Sequence, residues 1–127
     1  MKYKAITENH LYRKAYVKGK KFCGRYVAMY VLPDYAAKRI QKADPLRRPC
    51  NRIGISTSKK IGGAVVRSRV RRIIREGYRQ VSRELTLQTG KLVVIAARSA
   101  AAGVKSTDIA RELRIAVRET GLCAEKA

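Results

Sequence analysis

Alternating apolar and polar positions predict the strands of this chain. Residues 26–32 alternate between two side-chain faces, one of which carries Tyr30. Residues 52–58 alternate again, with Ile53 on an apolar face and small polar residues on the other face. Lys91–Ala97 is almost continuously apolar, which is typical of a strand covered on both faces. The pattern therefore predicts a sheet with this last strand near its centre.

Three segments have the 3.6-residue period of helices. The first covers residues 7–19, with Thr7 as its N-cap and Gly19 at its C-terminal end. The second lies within residues 59–80, and the last covers residues 108–120. The buried stripe of the last helix is expected to contain Ile109, Leu113, Ala116 and Val117.

The length of the chain, 127 residues, is on the scale of one domain, so we expect a single domain over residues 1–127. Residues 33–50 hold all three prolines and several charges, and they are predicted to form a long mobile loop. Residues 122–127 follow the last helix and are expected to form a frayed tail.

The second predicted helix is rich in arginine. Its apolar residues fall on one narrow stripe, which consists of Val66, Val70, Ile73, Ile74, Gly77 and Val81. The broad remaining face carries Arg67, Arg69, Arg71, Arg72, Arg75 and Arg79, with Glu76 only at its edge. Closely spaced like charges repel one another, so such a helix is expected to bind a polyanion. Arginine suits phosphate because its planar guanidinium forms two hydrogen bonds at once.

The whole chain is strongly basic. Lys and Arg number 30 and Asp and Glu number 9, which gives a formal net charge of +21 at pH 7. The hydrophobic fraction of 46% is too high for a disordered tail, so we expect this charge on a folded domain. The favoured partner is a nucleic acid, and an anionic membrane surface is the weaker alternative. The chain has no apolar run that could span a bilayer and no signal-peptide pattern, so we expect a cytoplasmic protein.

Residue types that support catalysis are scarce. His10 is the only histidine, and the acidic residues are scattered, whereas a two-metal nuclease needs carboxylates that converge on ions about 4 Å apart. Cys23, Cys50 and Cys123 form no CxxC pair, so neither a disulfide framework nor a zinc site is indicated. We therefore expect any reaction to be carried by a bound partner.

Aromatic residues favour RNA over DNA as the nucleic acid. Tyr12 and Tyr16 are spaced i, i+4 and share one face of the first helix. They either pack on the sheet or form a stacking platform for bases, and the surrounding cations favour stacking. A DNA-binding protein would be expected to add a helix-turn-helix partner or a dimerising heptad, and the sequence has neither. A sheet with exposed tyrosines fits single-stranded or structured RNA.

Residues 52–76, RIGISTSKKIGGAVVRSRVRRIIRE, closely resemble the signature of the bacterial ribonuclease P protein subunit. That family has a strand of the form R-x-G-x-S-x-x-K-K, then a glycine and a helix of the form A-V-x-R-N-R-x-K-R-x-x-R-E. Two positions depart from this pattern, because Ser68 stands in place of an asparagine and Arg71 in place of a lysine. The resemblance extends over most of the chain and includes the aromatic positions Tyr12, Tyr16 and Tyr30.

The resemblance implies a fold. It is an α/β (α+β) single-domain sandwich with the element order α-β-β-β-α-β-α. The family also has an unusual left-handed βαβ crossover, although the right hand is the general rule for such connections.

The resemblance also implies a function, that of the accessory protein subunit of ribonuclease P. This endoribonuclease removes the 5′ leader of precursor tRNA, and in the family the RNA subunit performs the cleavage with Mg²⁺ held mainly by RNA. The expected partners are one catalytic RNA per protein and precursor tRNA, without a membrane. The residues expected to bind the leader are Tyr12, Tyr16, Tyr30, Ser56, Lys60 and Arg67. Those expected to bind the catalytic RNA are Ser68, Arg69, Arg71, Arg72 and Arg75, and no residue is expected to be catalytic or to bind a metal.

Two other functions stay open at this point. A ribosomal protein would have similar size and charge, but it would bind ribosomal RNA and would need no aromatic cleft. A protein nuclease acting alone would cleave RNA with magnesium in the absence of any RNA subunit.

Overall fold

Residues 3–123 of the chain are described by a computed structural model. Five strands form one sheet, namely β1 (Tyr3–Ala5), β2 (Lys20–Cys23), β3 (Val27–Pro33), β4 (Asn51–Ser56) and β5 (Lys91–Ala97). The helices are α1 (Asn9–Lys18), α2 (Ala37–Ala43), α3 (Ala64–Glu84) and α4 (Ser106–Glu119). Short 3-10 turns, Lys59–Ile61 and Ser99–Gly103, precede α3 and α4.

The strands lie in the order β1-β4-β5-β3-β2, so β5 is central, as its apolar sequence predicts. β1, β4 and β5 are parallel, whereas β3 is antiparallel to both of its neighbours, β5 and β2. α3 joins the parallel neighbours β4 and β5, which makes the βαβ crossover that the resemblance implies; its left hand stays a prediction. The predicted element order is confirmed, with β1 and α2 as additional elements.

Each face of the sheet has its own helical layer. Val27, Met29 and Val31 of β3 pack with α3 and α4 into the larger core. Leu32 points to the other face and packs with α1 into a smaller core, against which Tyr30 also packs. The alternation predicted for this strand is thereby confirmed from Val27 onward, whereas Tyr26 precedes the strand and packs against the larger core. Burial of apolar side chains on both faces is the main contribution that stabilises the fold.

The apolar stripe of α3 is buried as predicted. Val70, Ile74 and Val81 are completely inaccessible to solvent. α3 approaches α4 closely at Gly77, where a Cβ atom would lie 2.9 Å from Cγ2 of Ile109. A side chain there would force the two helices apart, so glycine sets this packing distance. The stripe predicted for α4 is also buried.

The segment predicted to be a loop at residues 33–50 contains α2. Its start is fixed by Asp34, whose carboxylate accepts a hydrogen bond from the Ala36 N–H at 3.0 Å. Residues 37–43 contain no proline or glycine and several residues with good helix propensity, so the prolines bound the helix without preventing it. The mobility expected for this segment stays a prediction.

The end of the described chain is more ordered than predicted. Leu122 is completely buried, and Cys123 forms a β-bridge. Gly121 has φ +77°, and this left-handed conformation turns the chain so that the Cys123 N–H donates to the Val117 carbonyl at 2.9 Å. The first two residues of the predicted tail are therefore not frayed, and the others, 124–127, lie outside the described residues.

One end of α1 differs from the prediction. The helix begins at Asn9, with Glu8 rather than Thr7 at its N-cap. The Thr7 hydroxyl donates to the Glu8 carboxylate at 3.5 Å and does not cap the helix. The other end is confirmed, since the Gly19 N–H donates to the Ala15 carbonyl at 2.8 Å.

Candidate RNA-binding surfaces

Three tyrosines of α1 and β3 lie together on one face of the sheet. Tyr16 is 42% exposed, and its ring meets that of Tyr30 edge to face, with centroids 4.9 Å apart and planes at 78°. Tyr12 lies one turn earlier on α1 and packs partly against the smaller core. The structure therefore brings together the three tyrosines that the sequence assigns to the leader. We call the site that they border with β4 the tyrosine cleft.

Tyr12 lies directly against the backbone of β4. A Cβ atom at Gly54 would lie 2.5 Å from the Tyr12 hydroxyl, so only glycine admits the ring at this point. Burial raises the pKa of the Tyr12 hydroxyl, and the neighbouring Tyr16 raises it further, so the hydroxyl stays protonated near neutral pH. A narrow pocket of about 180 Å³ beside this contact is lined by Ala5, Ile6, Tyr12, Ile53, Gly54, Ile55 and Arg75.

The other residues predicted for the leader follow one another from β4 to α3. Ser56 lies two residues beyond Gly54, so both are on the same face of the strand, and Ser56 is half-buried. Lys60 is exposed in the 3-10 turn that follows. Arg67 lies in the first turn of α3, and its Nε is buried without a hydrogen-bond partner in the described part of the chain. Among residues 3–123, no hydrogen bond joins these side chains to the tyrosines.

Arg71 connects the arginine helix with the end of β4. Its guanidinium donates to the Thr57 hydroxyl at 2.8 Å and to the Ser68 hydroxyl at 3.3 Å. The serine that replaces the family's asparagine therefore keeps a polar contact, but within its own helix. Thr57 was not among the predicted site residues, and only its contact with Arg71 reveals it.

Arg69 has a structural role that the helix period did not predict. Its guanidinium donates to the carbonyls of Ala102 at 3.1 Å and Val104 at 3.0 Å. Both carbonyls lie between β5 and α4, so Arg69 ties α3 to this connection. Its contact with the catalytic RNA stays a prediction, and two of its nitrogens are already engaged within the protein.

Arg72 and Arg75 fit the predicted RNA surface best. Both are exposed, and within the described part of the chain neither has an ion-pair or hydrogen-bond partner. Arg72 lines an open groove of about 450 Å³ together with Val65 and Ser68, and Val65 is 84% exposed. The start of α3 therefore presents unneutralised arginine beside accessible apolar surface.

Acidic residues partly neutralise the later part of α3. Glu76 accepts a hydrogen bond from Arg79 at 3.0 Å, so the charge of Arg79 is partly neutralised, whereas the sequence suggested that it was not. Glu84 accepts two hydrogen bonds from Arg114 of α4, at 2.6 and 2.7 Å, and these lower the pKa of its carboxyl.

An unpredicted ion-pair network fixes the start of α1. Arg52 donates to the Asp34 carboxylate at 2.7 and 2.8 Å and to the Glu8 carboxylate at 3.1 Å. Burial alone would raise the pKa of Asp34, but hydrogen bonds from Arg52 and Ala36, with the charges of Arg52 and Arg39, hold it below its usual value. The network joins β4 to the helix that carries two of the tyrosines. The sequence shows an arginine on a polar strand face but not its partners.

A second unpredicted contact fixes the turn between β2 and β3. The Glu112 carboxylate of α4 accepts hydrogen bonds from three consecutive backbone N–H groups, those of Arg25, Tyr26 and Val27. It holds the hairpin that carries Tyr30 against α4. An acid separated by more than 80 residues from its partners gives no local sequence signal.

The described residues do not fit a metal site. No group of three or more His, Cys, Asp or Glu side chains in residues 3–123 could hold a metal ion. The carboxylates of Asp34, Glu84 and Glu112 are engaged by arginines or backbone amides. Mg²⁺ prefers several carboxylate and water oxygens in an octahedral arrangement, which these engaged groups do not offer.

Comparison with known sequences identifies relatives over almost the whole chain. The family model described as Ribonuclease P matches residues 1–121. The Ribonuclease P protein component of Clostridium acetobutylicum is 41% identical over 122 residues, which cover 96% of this chain and 92% of that protein. The protein of the same name from Clostridioides difficile is 32% identical over 119 residues, with coverage of 94% and 93%.

Solved structures give the same fold. The RNase P protein of Staphylococcus aureus aligns with a TM-score of 0.72 at 24% identity and covers 96% of this chain and 99% of that one. The RNase P protein of Thermotoga maritima aligns with a TM-score of 0.64 at 17% identity, with coverage of 84% and 88%. Together with the motif of residues 52–76, these matches show that the chain belongs to the ribonuclease P protein family.

Proposed function

We propose that this chain is the protein subunit of a bacterial ribonuclease P, and that it binds both the catalytic RNA and the 5′ leader of precursor tRNA. The observation that carries the proposal is the tyrosine cleft, which adjoins the arginine helix at the end of β4. Arg75 joins the two surfaces, because it lines the pocket that Tyr12 and Gly54 border. Membership of the family supports this function.

In this proposal the leader lies in the tyrosine cleft. The exposed ring of Tyr16 stacks on a base, while the Tyr12 hydroxyl is available as a hydrogen-bond donor. Ser56 adds a hydroxyl, and Lys60 and Arg67 add positive charge for the RNA backbone. Stacking contributes about 1–3 kcal/mol per base and tolerates any base, which suits a subunit that serves many precursors.

The catalytic RNA binds the exposed side of α3 in the same proposal. Arg72 and Arg75 bind phosphates, because their guanidinium groups are exposed and have no described ion-pair partner. Ser68 lies in the same groove as Arg72. Arg75 lies between the two RNAs, because it also lines the pocket beside Tyr12.

The RNA subunit carries the cleavage in this proposal, and Mg²⁺ is held mainly by RNA. His10 is exposed, and the acids that line the same pocket, Glu8 and Asp34, are bound to Arg52. The protein contributes by positioning the leader and by neutralising phosphates. None of the helices in residues 3–123 is long and apolar enough to cross a membrane. We propose a cytoplasmic complex with one protein per catalytic RNA.

Reconstitution tests the proposal. The protein is combined with a bacterial ribonuclease P RNA, and cleavage of precursor tRNA is measured at low Mg²⁺. We expect faster cleavage than with the RNA alone and no cleavage by the protein alone. An Arg72→Ala, Arg75→Ala variant is expected to need more protein for half-maximal stimulation. The charge-matched control, Arg111→Ala with Arg118→Ala on α4, is expected to behave as the wild type.

Two results would contradict the proposal. If the protein does not stimulate cleavage and instead sediments with ribosomal subunits, a structural role in the ribosome is favoured. If the protein alone cleaves RNA in the presence of magnesium, the chain is itself a nuclease.

A further inference from the structure

α2 contributes no residue to either core. It has seven residues, none of which is buried. Helices shorter than about 12 residues are marginal in water, and the like charges of Lys38 and Lys42 at i, i+4 weaken this one further. A surface helix of such low intrinsic stability, which packs in neither core, is suited to contact a binding partner.

The charged side chains that line the groove beside α2 are all positive. It has a volume of about 320 Å³ and is lined by Lys38, Gln41, Lys42 and Arg47. The nearest acid of the segment, Asp44, is paired with Arg48 at 3.3 Å and also accepts a hydrogen bond from the Leu46 N–H. The lining therefore keeps its full positive charge and fits a phosphate backbone.

The turn after α2 holds Arg47 in this groove. Arg47 has φ +50°, a left-handed conformation that is uncommon for a residue other than glycine. The conformation is fixed at both ends of the residue, because its N–H donates to the Asp44 carbonyl at 2.9 Å and its carbonyl accepts from the Gln41 side chain at 2.9 Å. This preorganised turn brings a third cation to the two lysines of α2.

An exposed aromatic ring lies just before α2. Tyr35 is 80% exposed, and the Lys14 ammonium lies 4.2 Å from the centre of its ring. A cation over one ring face leaves most of the ring accessible for stacking with a base. Tyr35 lines a separate pocket together with Lys14 and Arg39, on the side of α2 towards α1. Stacking needs an unpaired base, and an exposed aromatic ring with cations around it is a usual arrangement for single-stranded RNA.

The position of α2 indicates which RNA is bound. Lys14 and Tyr16 are two residues apart on α1, so their side chains project from widely separated sides of that helix. Tyr16 faces the tyrosine cleft and Lys14 faces Tyr35. One helix, about 10 Å in diameter, therefore separates the two sites. A single strand that leaves the cleft and crosses α1 reaches α2.

We propose that Tyr35, Lys38, Lys42 and Arg47 form a second binding site for the precursor tRNA leader, occupied by nucleotides that extend beyond the tyrosine cleft. We call these residues the α2 site. The inference rests on the proposed function, because the cleft must first hold the leader. It predicts that the affinity for precursors depends on leader length beyond the part that fills the cleft.

The experiment measures binding of precursor tRNAs to the holoenzyme, with leaders lengthened one nucleotide at a time. Three proteins are compared with the wild type: Tyr35→Ala, the triple variant Lys38→Ala, Lys42→Ala, Arg47→Ala, and a control. The control, Lys105→Ala with Arg111→Ala and Arg118→Ala, removes the same charge from α4 and its N-cap, on the face of the sheet opposite to α1. All replaced residues are exposed, so melting temperatures are expected to stay close to that of the wild type.

For the wild type we expect a short leader to raise the affinity above that of tRNA without a leader. Longer leaders are expected to raise the affinity a second time. Tyr35→Ala is expected to reduce the second gain by about fivefold or more, the effect of one lost stack. The triple variant is expected to abolish this gain and to lower the salt dependence of long-leader binding, as a log–log slope, by about 2. Short-leader binding and the control protein are expected to match the wild type.

Several results would overturn the inference. One is a second gain that survives in the triple variant, and another is an equal loss of that gain in the control. A third is an equal loss of affinity for short and long leaders in the triple variant, which would mean that the replaced residues bind another part of the complex. In each case the short-leader gain of the wild type still tests the proposed function separately. If that gain is absent as well, the cleft proposal fails together with this one.

Discussion

Replacement of Tyr16 by alanine tests the tyrosine cleft most cleanly. Tyr16 is 42% exposed, and its edge-to-face contact with Tyr30 contributes only about 0.5–1.5 kcal/mol of folding free energy beyond the burial of the covered part of the ring. That is small beside the stability of about 5–15 kcal/mol that is usual for a domain. Tyr12 is a poorer probe, because it packs against Gly54 and the smaller core.

The expected effect on leader binding comes from the loss of one stacked base. One lost stack of about 1–3 kcal/mol weakens binding of leader-bearing precursor by roughly fivefold to 150-fold. The assay compares the dissociation constants of precursor tRNA and mature tRNA for holoenzymes assembled with each variant. Mature tRNA lacks the leader, so its binding is expected to stay the same. Tyr16→Phe keeps the ring and is expected to restore most of the affinity.

Equal losses for precursor and mature tRNA would contradict a role of Tyr16 in leader binding. That result would mean that Tyr16 supports the fold or the catalytic RNA rather than the leader. Melting curves of each variant, measured alongside, separate a folding defect from a loss of contact.

Three further predictions follow from the contacts of single arginines and acids. The double variant Arg72→Ala, Arg75→Ala is expected to lower the log–log salt slope of catalytic-RNA binding by about 1.5, and an unchanged slope would remove these residues from the interface. Arg69→Ala is expected to lower the free energy of unfolding by about 2 kcal/mol, because two backbone carbonyls lose their partner; Arg72→Ala, measured in the same urea titrations, should have almost no effect. The ion pair of Asp34 with Arg52 stabilises the fold above the usual aspartate pKa of about 3.9 and loses this contribution as pH falls through the lower pKa of the folded state. Asp34→Asn should therefore destabilise the protein by about 3 kcal/mol near neutral pH, and the difference should shrink below about pH 4; a constant difference would show that charge is not its cause.

Regular periodicity made most of the fold predictable from the sequence. The stripe of α3 is buried as its pattern requires, because this long helix faces a single core. The continuous apolar run of β5 is buried because a helical layer covers each face of the strand. α2 escaped prediction because seven residues show barely two turns of any period and lie between prolines. Tyr78 was also missed: it belongs to the larger core, although the period places it beside the arginines.

The candidate site was predictable in its residue types but not in their contacts. The spacing of Tyr12 and Tyr16 correctly placed them on one side of α1, yet the approach of Tyr12 to Gly54 depends on tertiary packing. A helical projection treats every arginine as pointing outward. The long side chain of Arg69 bends back to carbonyls more than 30 residues away, and no local pattern encodes that reach.

The most direct test of the central claim, that the tyrosine cleft holds the leader, is photo-crosslinking within the assembled holoenzyme. A photoreactive uridine is placed at successive leader positions, and the crosslinked peptides are identified by mass spectrometry. We expect crosslinks from leader nucleotides near the cleavage site to α1, β3 and the end of β4, including Tyr16 and Tyr30. Crosslinks confined to the arginine surface of α3, with none to these elements, would contradict it.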